Sequence, residues 1–298
     1  MAKGSSKFGK YKERKVREAL RNPINVLKSL GEKSQEKTYK YQRLYRNLYT
    51  PEFYLLAYQN IYANKGGMTP GVDGMTIDGI SMARINRIIE SMRNQSYQPK
   101  PARREYIKKK TGNKKRPLGI SSADDKLVQE VVRMILESIY EGSFSVKSHG
   151  FRPNKSCHTA LIQIRKTFTG AKWFVEGDIK ACFDSFDHAV LIRILRKRIE
   201  DEAFLNLICK FLKAGYMEQW TFNKTYFGIP QGSGCSPILA NIYLNELDEF
   251  MQELKDKFDV GDCNRRKVSY EYESVRGRAK RLKKKYAKDW NKISEEER

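Results

Sequence analysis

The stretch REYIKKKTGNKKRPLGI, Arg104 to Ile120, constrains the fold more tightly than any other part of the sequence. Arg104 to Lys109 and Lys115 to Ile120 are short extended runs on either side of Thr-Gly-Asn, which predicts a β-hairpin. DDKLVQEVVRMILESIYEG follows almost at once, with Leu127, Val131, Ile135 and Ile139 at close to helical spacing and its end at Gly142. The hydrophobic period thus changes from two to about 3.6 within a few residues, so strands and helices must share one body. The predicted class is α+β, an antiparallel sheet packed with helices. A chain of 298 residues can bury a sizeable core as one large domain or two subdomains.

The hairpin is densely charged. Residues 100–116 hold nine basic side chains and one acid, Glu105. Solvated charge runs are common, but alternate residues of a strand share a face, so several of these cations point the same way. That suits a triphosphate or a nucleic-acid backbone. Over the whole chain, 58 Lys and Arg against 35 Asp and Glu leave a formal charge of +23. This exceeds what solubility requires and predicts a polyanionic partner. Nucleic acid is favoured over an anionic membrane surface, because no long apolar run and no secretory apolar stretch is present. A cytoplasmic location is the default.

Two segments concentrate the excess. Residues 1–50 carry 14 Lys or Arg against four Asp or Glu, with Lys10, Lys12, Arg14, Lys15, Arg17 and Arg21 as candidate nucleic-acid contacts. Tyrosines at 39, 41, 45 and 49 interleave with that charge, and the pattern from Ser34 to Ala63 is helical, with the aromatics read as packing residues before base-stacking ones. The tail from Cys263 to Lys292 holds twelve basic residues against Glu271, Glu273 and Asp289. Its stretch SVRGRAKRLKKKYAKDW has little apolar face and reads as an extended or partly disordered polyanion-binding segment. Arg278, Lys280, Arg281, Lys283, Lys284 and Lys285 are its candidate contacts.

Between these segments, NKGGMTPGVDG (Asn64 to Gly74) is a loop and Met82 to Asn94 a helix. Ser156 is placed to cap a further helix, with Arg152 and Lys155 near its positive end, where an anion or simply a surface loop would fit. Helices are expected from His188 to Glu200 and from Glu202 to Ala214, and a hairpin within QWTFNKTYFGIPQGSGCSP, Gln219 to Pro237. Gly232 and Gly234 would let backbone pass close to a flat ligand ahead of a helix begun by Ser236 and Pro237. The five cysteines form no CxxC pair, and His149, His158 and His188 lack metal-ligand spacing.

WFVEGDIKACFDSFDH, Trp173 to His188, opens like a buried strand over Trp173 to Ile179 but contains Glu176 and Asp178. Residues two apart in a strand share a face, and a carboxylate against an apolar interior needs a compensating cation. A salt bridge or a turn cap would supply a structural explanation. Alternatively Asp178, where the strand opens into a loop, is a ligand for Mg²⁺, a hard cation commonly held by one or two carboxylates and substrate phosphates.

In order, GMTPGVDG, YIKKKTGNKKRPLGI, SHGFRPNKSCHTAL, GDIKACFDSFDH and GIPQGSGCSPILANIYL cover most of the chain, and the sequence resembles the reverse transcriptase domain of bacterial group II intron-encoded proteins, the maturases. The resemblance implies a right-hand polymerase: a basic helical extension (1–75), fingers (76–172), an incomplete palm (173–254) and a basic insertion (255–298). It implies that Asp178 and the backbone carbonyl of Ile179 bind metal, and that Phe183 lies under the sugar of the incoming nucleotide. Lys109 and Arg116 would hold the triphosphate, and Gln231 would lie beside nucleotide and template. Implied partners are group II intron RNA, an RNA template with a DNA primer, and a dNTP; a homodimer stays open. Such proteins complete the metal site with an aromatic-Ala-Asp-Asp hairpin, a sequence not found here, so Mg²⁺ is expected to bind weakly or not at all. The expectation is a fingers and partial-palm piece that is inactive as a polymerase and binds RNA, with a divergent full-length protein as the alternative.

Overall fold

Nine helices and four short strands make up the described part of the chain, which in this computed structural model comprises residues 22–64, 66–108, 115–169, 173–258, 260 and 268–286. The structure divides after Glu249 into two compact units.

In the first unit the central element is α4, Ala123–Tyr140, preceded by α1 (Pro23–Lys33), α2 (Pro51–Tyr62) and α3 (Met82–Arg93). Ser122 accepts from the Asp125 backbone N–H at 3.2 Å and starts α4. Thirteen of its 18 residues are buried, so it is not a surface amphipath but a helix packed on most of its circumference, with α1 and α2 against it. Leu127, Val131, Ile135 and Ile139, the residues of the apolar stripe, are all fully buried.

The predicted hairpin forms as β1 (Ala102–Lys108) and β2 (Lys115–Ile120), antiparallel, with Arg104 opposite Gly119 and Ile107 opposite Arg116. Two more strands extend the sheet in the order β2-β1-β3-β4: β3 is Tyr216–Glu218 and β4 is Thr221–Asn223. The α+β class holds, but the sheet is mixed, because β1 and β3 run parallel. The second hairpin begins earlier than the sequence suggests. Gln219 and Trp220 form its turn at φ 48° and 65°, and the residues after Asn223 leave the sheet.

In this first unit two expectations fail for instructive reasons. The helical pattern read over Ser34 to Ala63 is interrupted. After Lys33 the chain turns, Tyr41 N–H donates to the Arg198 carbonyl at 2.8 Å, Arg43 takes φ 56°, and a 3₁₀ turn at Tyr45–Tyr49 precedes α2. Pro51 occupies the first turn of α2, where its missing N–H costs nothing and its ring blocks a helix from upstream. Tyr41, Tyr45 and Tyr54 are buried, which is the packing role read for them.

The second failure is the strand from Trp173 to Ile179. It lies outside any sheet and is exposed, with Trp173 at 90% and Val175 at 94%. An extended run becomes a strand only when its backbone groups find a ladder partner, and none lies beside it among the described residues. Glu176 and Asp178 therefore share no sheet face and meet no apolar interior.

The remaining helices of this unit are α5 (Cys157–Thr167), α6 (His188–Arg196) and α7 (Glu202–Lys213), and α8 (Ser236–Phe258) begins here. Ser156 and Thr159 form a reciprocal capping box at the start of α5, as its sequence predicts. Arg152 does not face an anion there. It holds Glu141 in an ion pair at 2.9 Å and donates to the carbonyls of Ser145 and Ser148, stapling the loop.

In the second unit the basic tail is helical, not extended: α9 spans Tyr270–Lys285 with no buried residue. Ser269 caps it, Glu271 and Glu273 lie in its first turn, and Lys283, Lys284 and Lys285 lie in its last. Each charge opposes the nearer end of the helix dipole, which stabilises the helix without an apolar face.

Candidate active site

Two segments far apart in sequence are joined through their backbones. Ile229 N–H donates to the Phe183 carbonyl and Gly228 N–H to the Phe186 carbonyl, both at 2.7 Å. Gly228 sits at φ 85°, and a Cβ there would come within 2.8 Å of the Phe183 oxygen, so only glycine lets the two segments close this far. His188 Nε2 lies 2.7 Å from the Gly228 carbonyl and must carry the proton it donates. Buried His188, which has no metal-ligand spacing in the sequence, thus acts as a lock between these segments.

Pro230 to Gly232 then cross to the outer edge of β2. Gly119 N–H donates to the Gln231 carbonyl at 2.6 Å, and Gly232, at φ 108°, would place a Cβ 2.5 Å from the Gly119 oxygen. Beneath the turn, Gly234 N–H donates to Gln129 Oε1 at 3.0 Å. Gln129 was hidden by its place in the apolar pattern of α4; a buried amide in such a helix is the signal that it supports something outside the helix.

This geometry brings Arg116 and Gln231 together. Arg116 Nε donates to Gln231 Oε1 at 2.9 Å, and both side chains remain open to solvent in part. The Arg116 guanidinium keeps its other donors, a fork suited to phosphate oxygens. Lys109, the expected second cation, lies outside the described residues, as do Lys10, Lys12, Arg14, Lys15, Arg17 and Arg21. Nearby, a cleft of ≈ 390 Å³ is lined in part by Arg104, Asp184, Lys224 and Gln231. The Arg104 guanidinium lies 3.7 Å from the centre of the Tyr216 ring.

Phe183 is half-buried against the core, edge-on to Phe186 at 6.2 Å, so one side of its ring is fixed and the other is accessible. Ala181, at φ 51°, turns the chain just before it. Asp178 and Ile179 precede that turn and are exposed, and the Asp178 carboxylate has no hydrogen bond or ion pair among the described residues. It lies near Cys182, whose thiol is pushed up by burial and then by the Asp178 charge. An exposed carboxylate without a partner among the described residues is a hard oxygen donor of the kind that holds a divalent cation together with substrate phosphates. In the second unit, Arg278, Lys280, Arg281, Lys283, Lys284 and Lys285 are all exposed on α9. No helix among the described residues is long and apolar enough to cross a membrane.

Comparison with known proteins agrees with the ordered sequence blocks. Residues 107–268 match the family "Reverse transcriptase (RNA-dependent DNA polymerase)". The group II intron-encoded protein LtrA of Lactococcus lactis subsp. cremoris is 50% identical over 264 residues, 88% of this chain and 44% of its own length. An uncharacterized 91 kDa protein in the cob intron of Schizosaccharomyces pombe is 46% identical over 84% of this chain and 31% of its own length. A putative COX1/OXI3 intron 2 protein of Saccharomyces cerevisiae is 39% identical over 77% of this chain and 27% of its own. The chain thus spans less than half the length of these relatives.

Proposed function

The chain belongs to the reverse transcriptases, RNA-directed DNA polymerases as a family, among those encoded by group II introns, and on that premise we propose that Arg116, Gln231 and Phe183 form its nucleotide site. The Arg116 to Gln231 hydrogen bond carries this reading, because it joins a guanidinium fork to a residue two positions after Ile229, whose N–H bonds the Phe183 carbonyl. Arg116 binds the triphosphate, Gln231 orients the guanidinium and meets the base or sugar, and the Phe183 ring supports the sugar. Lys109, the residue after Lys108 in the sequence, is the second cation proposed for the phosphates. Asp178 and the Ile179 carbonyl would hold Mg²⁺. When bound, that ion neutralises charge on the oxygens of a transferring phosphoryl group.

Fingers at 76–172 and palm at 173–254 frame this site, with residues 1–75 and 255–298 as basic RNA-binding flanks. The partners are intron RNA, whose splicing the protein assists, and an RNA template with primer and dNTP, in the bacterial cytoplasm. A second reading, RNA binding for splicing without DNA synthesis by this chain, is favoured by α9, a basic helix with no buried residue whose named cations are all exposed.

Titration with a fluorescent dNTP tests the site itself. Arg116→Ala and Gln231→Ala should each weaken binding by roughly 10-fold, with a coupling of about 1 kcal/mol in the double variant. Unchanged affinity, or additive losses, would remove this pair from the nucleotide site. RNA-templated primer extension separates the two readings: extension lost on Asp178→Ala supports polymerase chemistry, whereas RNA binding without extension leaves the splicing role.

A further inference from the structure

The structure assigns a second nucleic-acid site to a cleft of ≈ 860 Å³ formed by α1, the segment leading to the 3₁₀ turn and the end of α3. We propose that it binds single-stranded RNA, and this rests on the reading above that RNA is a partner.

Lys33, Arg43, Arg46 and Arg93 line the cleft, and no carboxylate does. Arg43, Arg46 and Arg93 are exposed and form no hydrogen bond or ion pair among the described residues. Arg84, Arg103, Arg133, Arg152 and Arg196 of this unit are ion-paired, whereas exposed Arg87, Arg165 and Arg193 have no ion pair among the described residues, so it is the grouping around one concavity that sets Arg43, Arg46 and Arg93 apart. Three unpaired guanidiniums around one concavity repel each other unless an anion joins them. Arg43 also holds a left-handed backbone, φ 56°, a conformation that costs a non-glycine residue and needs a stabilising surround.

Between the cations lie the rings of Tyr39 and Tyr49, each half-buried. Tyr39 is anchored edge-on to Tyr41 at 4.9 Å, with Lys33 Nζ 5.1 Å from its ring centre, and Tyr49 is edge-on to Tyr45 at 5.8 Å, so each ring is braced at the cleft wall. Cations that follow a backbone and braced aromatics that meet bases are the two components of a single-strand site. A second concavity of ≈ 520 Å³, which has Glu90 in its lining, shares Tyr49 and Arg93 with the first and extends the surface past one nucleotide. Neither concavity shares a residue with Arg116, Gln231 or Phe183. Residues 1–21 are a poor occupant by charge, with eight basic residues against Glu13 and Glu18. An acidic peptide would meet the cations but has less use for the rings.

The test uses the full chain, a fluorescein-labelled U12 RNA and anisotropy in about 0.1 M salt. Arg43→Glu, Arg46→Glu and Arg93→Glu together should raise the dissociation constant by roughly 10- to 100-fold and flatten its salt dependence, whereas the triple lysine variant should stay within roughly 3-fold. Circular dichroism melting checks that the glutamate variant folds. Photocrosslinking of 4-thiouridine RNA to the unaltered chain should map to Tyr39 or Tyr49. If the chain binds U12 and the glutamate variant binds equally well, the cleft assignment is overturned and the RNA reading survives. Failure of the unaltered chain to bind any RNA overturns both. Tighter binding of polyglutamate than of U12, lost in the same variant, overturns RNA in favour of an acidic protein partner.

Discussion

Helices α4 and α5 begin alike and end in opposite environments. Each is capped by a serine accepting from the backbone three residues on, Ser122 from Asp125 and Ser156 from Thr159. Yet α4 has thirteen buried residues and α5 has none, with Leu161 and Ile162 more than half exposed. Caps and period decide that a segment is helical; they leave open which faces will be covered.

The strongest way to break this comparison is truncation of matched leucines. Leu127→Ala, on the covered helix, should cost about 3–5 kcal/mol in denaturant unfolding, while Leu161→Ala, on the exposed one, should stay within ~0.5 kcal/mol. Equal losses would mean that α5 is packed in solution and the contrast is wrong.

Next in size is the buried carboxylate that ties α4 to the segment leading into β1. Asp125 accepts from the Tyr97 hydroxyl at 2.6 Å and from Lys100 N–H at 3.0 Å. Asp125→Ala should cost about 2–4 kcal/mol by orphaning those donors. Burial raises the Asp125 pKa despite these bonds. As pH rises from the ordinary carboxylate range through the raised value, the folded chain keeps a proton that the unfolded chain has released, so this group's contribution to stability falls across that window. Urea midpoints measured from pH 4 upward should show that decline in the unaltered chain and not in the variant.

The caps themselves give smaller, local effects. Ser122→Ala should cost about 1–2 kcal/mol, because Ser122 also donates to the Asp125 carboxylate at 2.6 Å, and Ser156→Ala about 0.5–1 kcal/mol. If the two costs were reversed, the cap of α4 would not be coupled to the Asp125 network. Cysteine labelling sharpens the contrast without altering stability. Exposed Cys157, the first residue of α5, should react with iodoacetamide in the native chain. Cys235, buried and with its thiol pushed up to about 11 by that burial, should react only on unfolding, as read by peptide mass spectrometry.

Much of the fold was legible because its signals are local. The Thr-Gly-Asn hairpin, the Ser156 cap and the amphipathic run from Ser236 each depend on neighbours within a few residues. The Pro51 break was also there to be read but was overridden by the tyrosine spacing across it. For the site, ordered blocks named Arg116, Gln231 and Phe183, but nothing in their spacing revealed that Arg116 bonds Gln231, nor that Gln129 and His188 hold the turn in place.

The sequence alone determined the strands and helices of the hairpin and its neighbours, the +23 charge and the reverse transcriptase family, since propensity, capping and charge act along the chain. Only the tertiary structure decided that Trp173 to Ile179 stands unpaired, that α5 lies uncovered and that Arg116 meets Gln231. Ladder pairing, burial and a contact across 115 positions all need a partner that the local chain cannot supply.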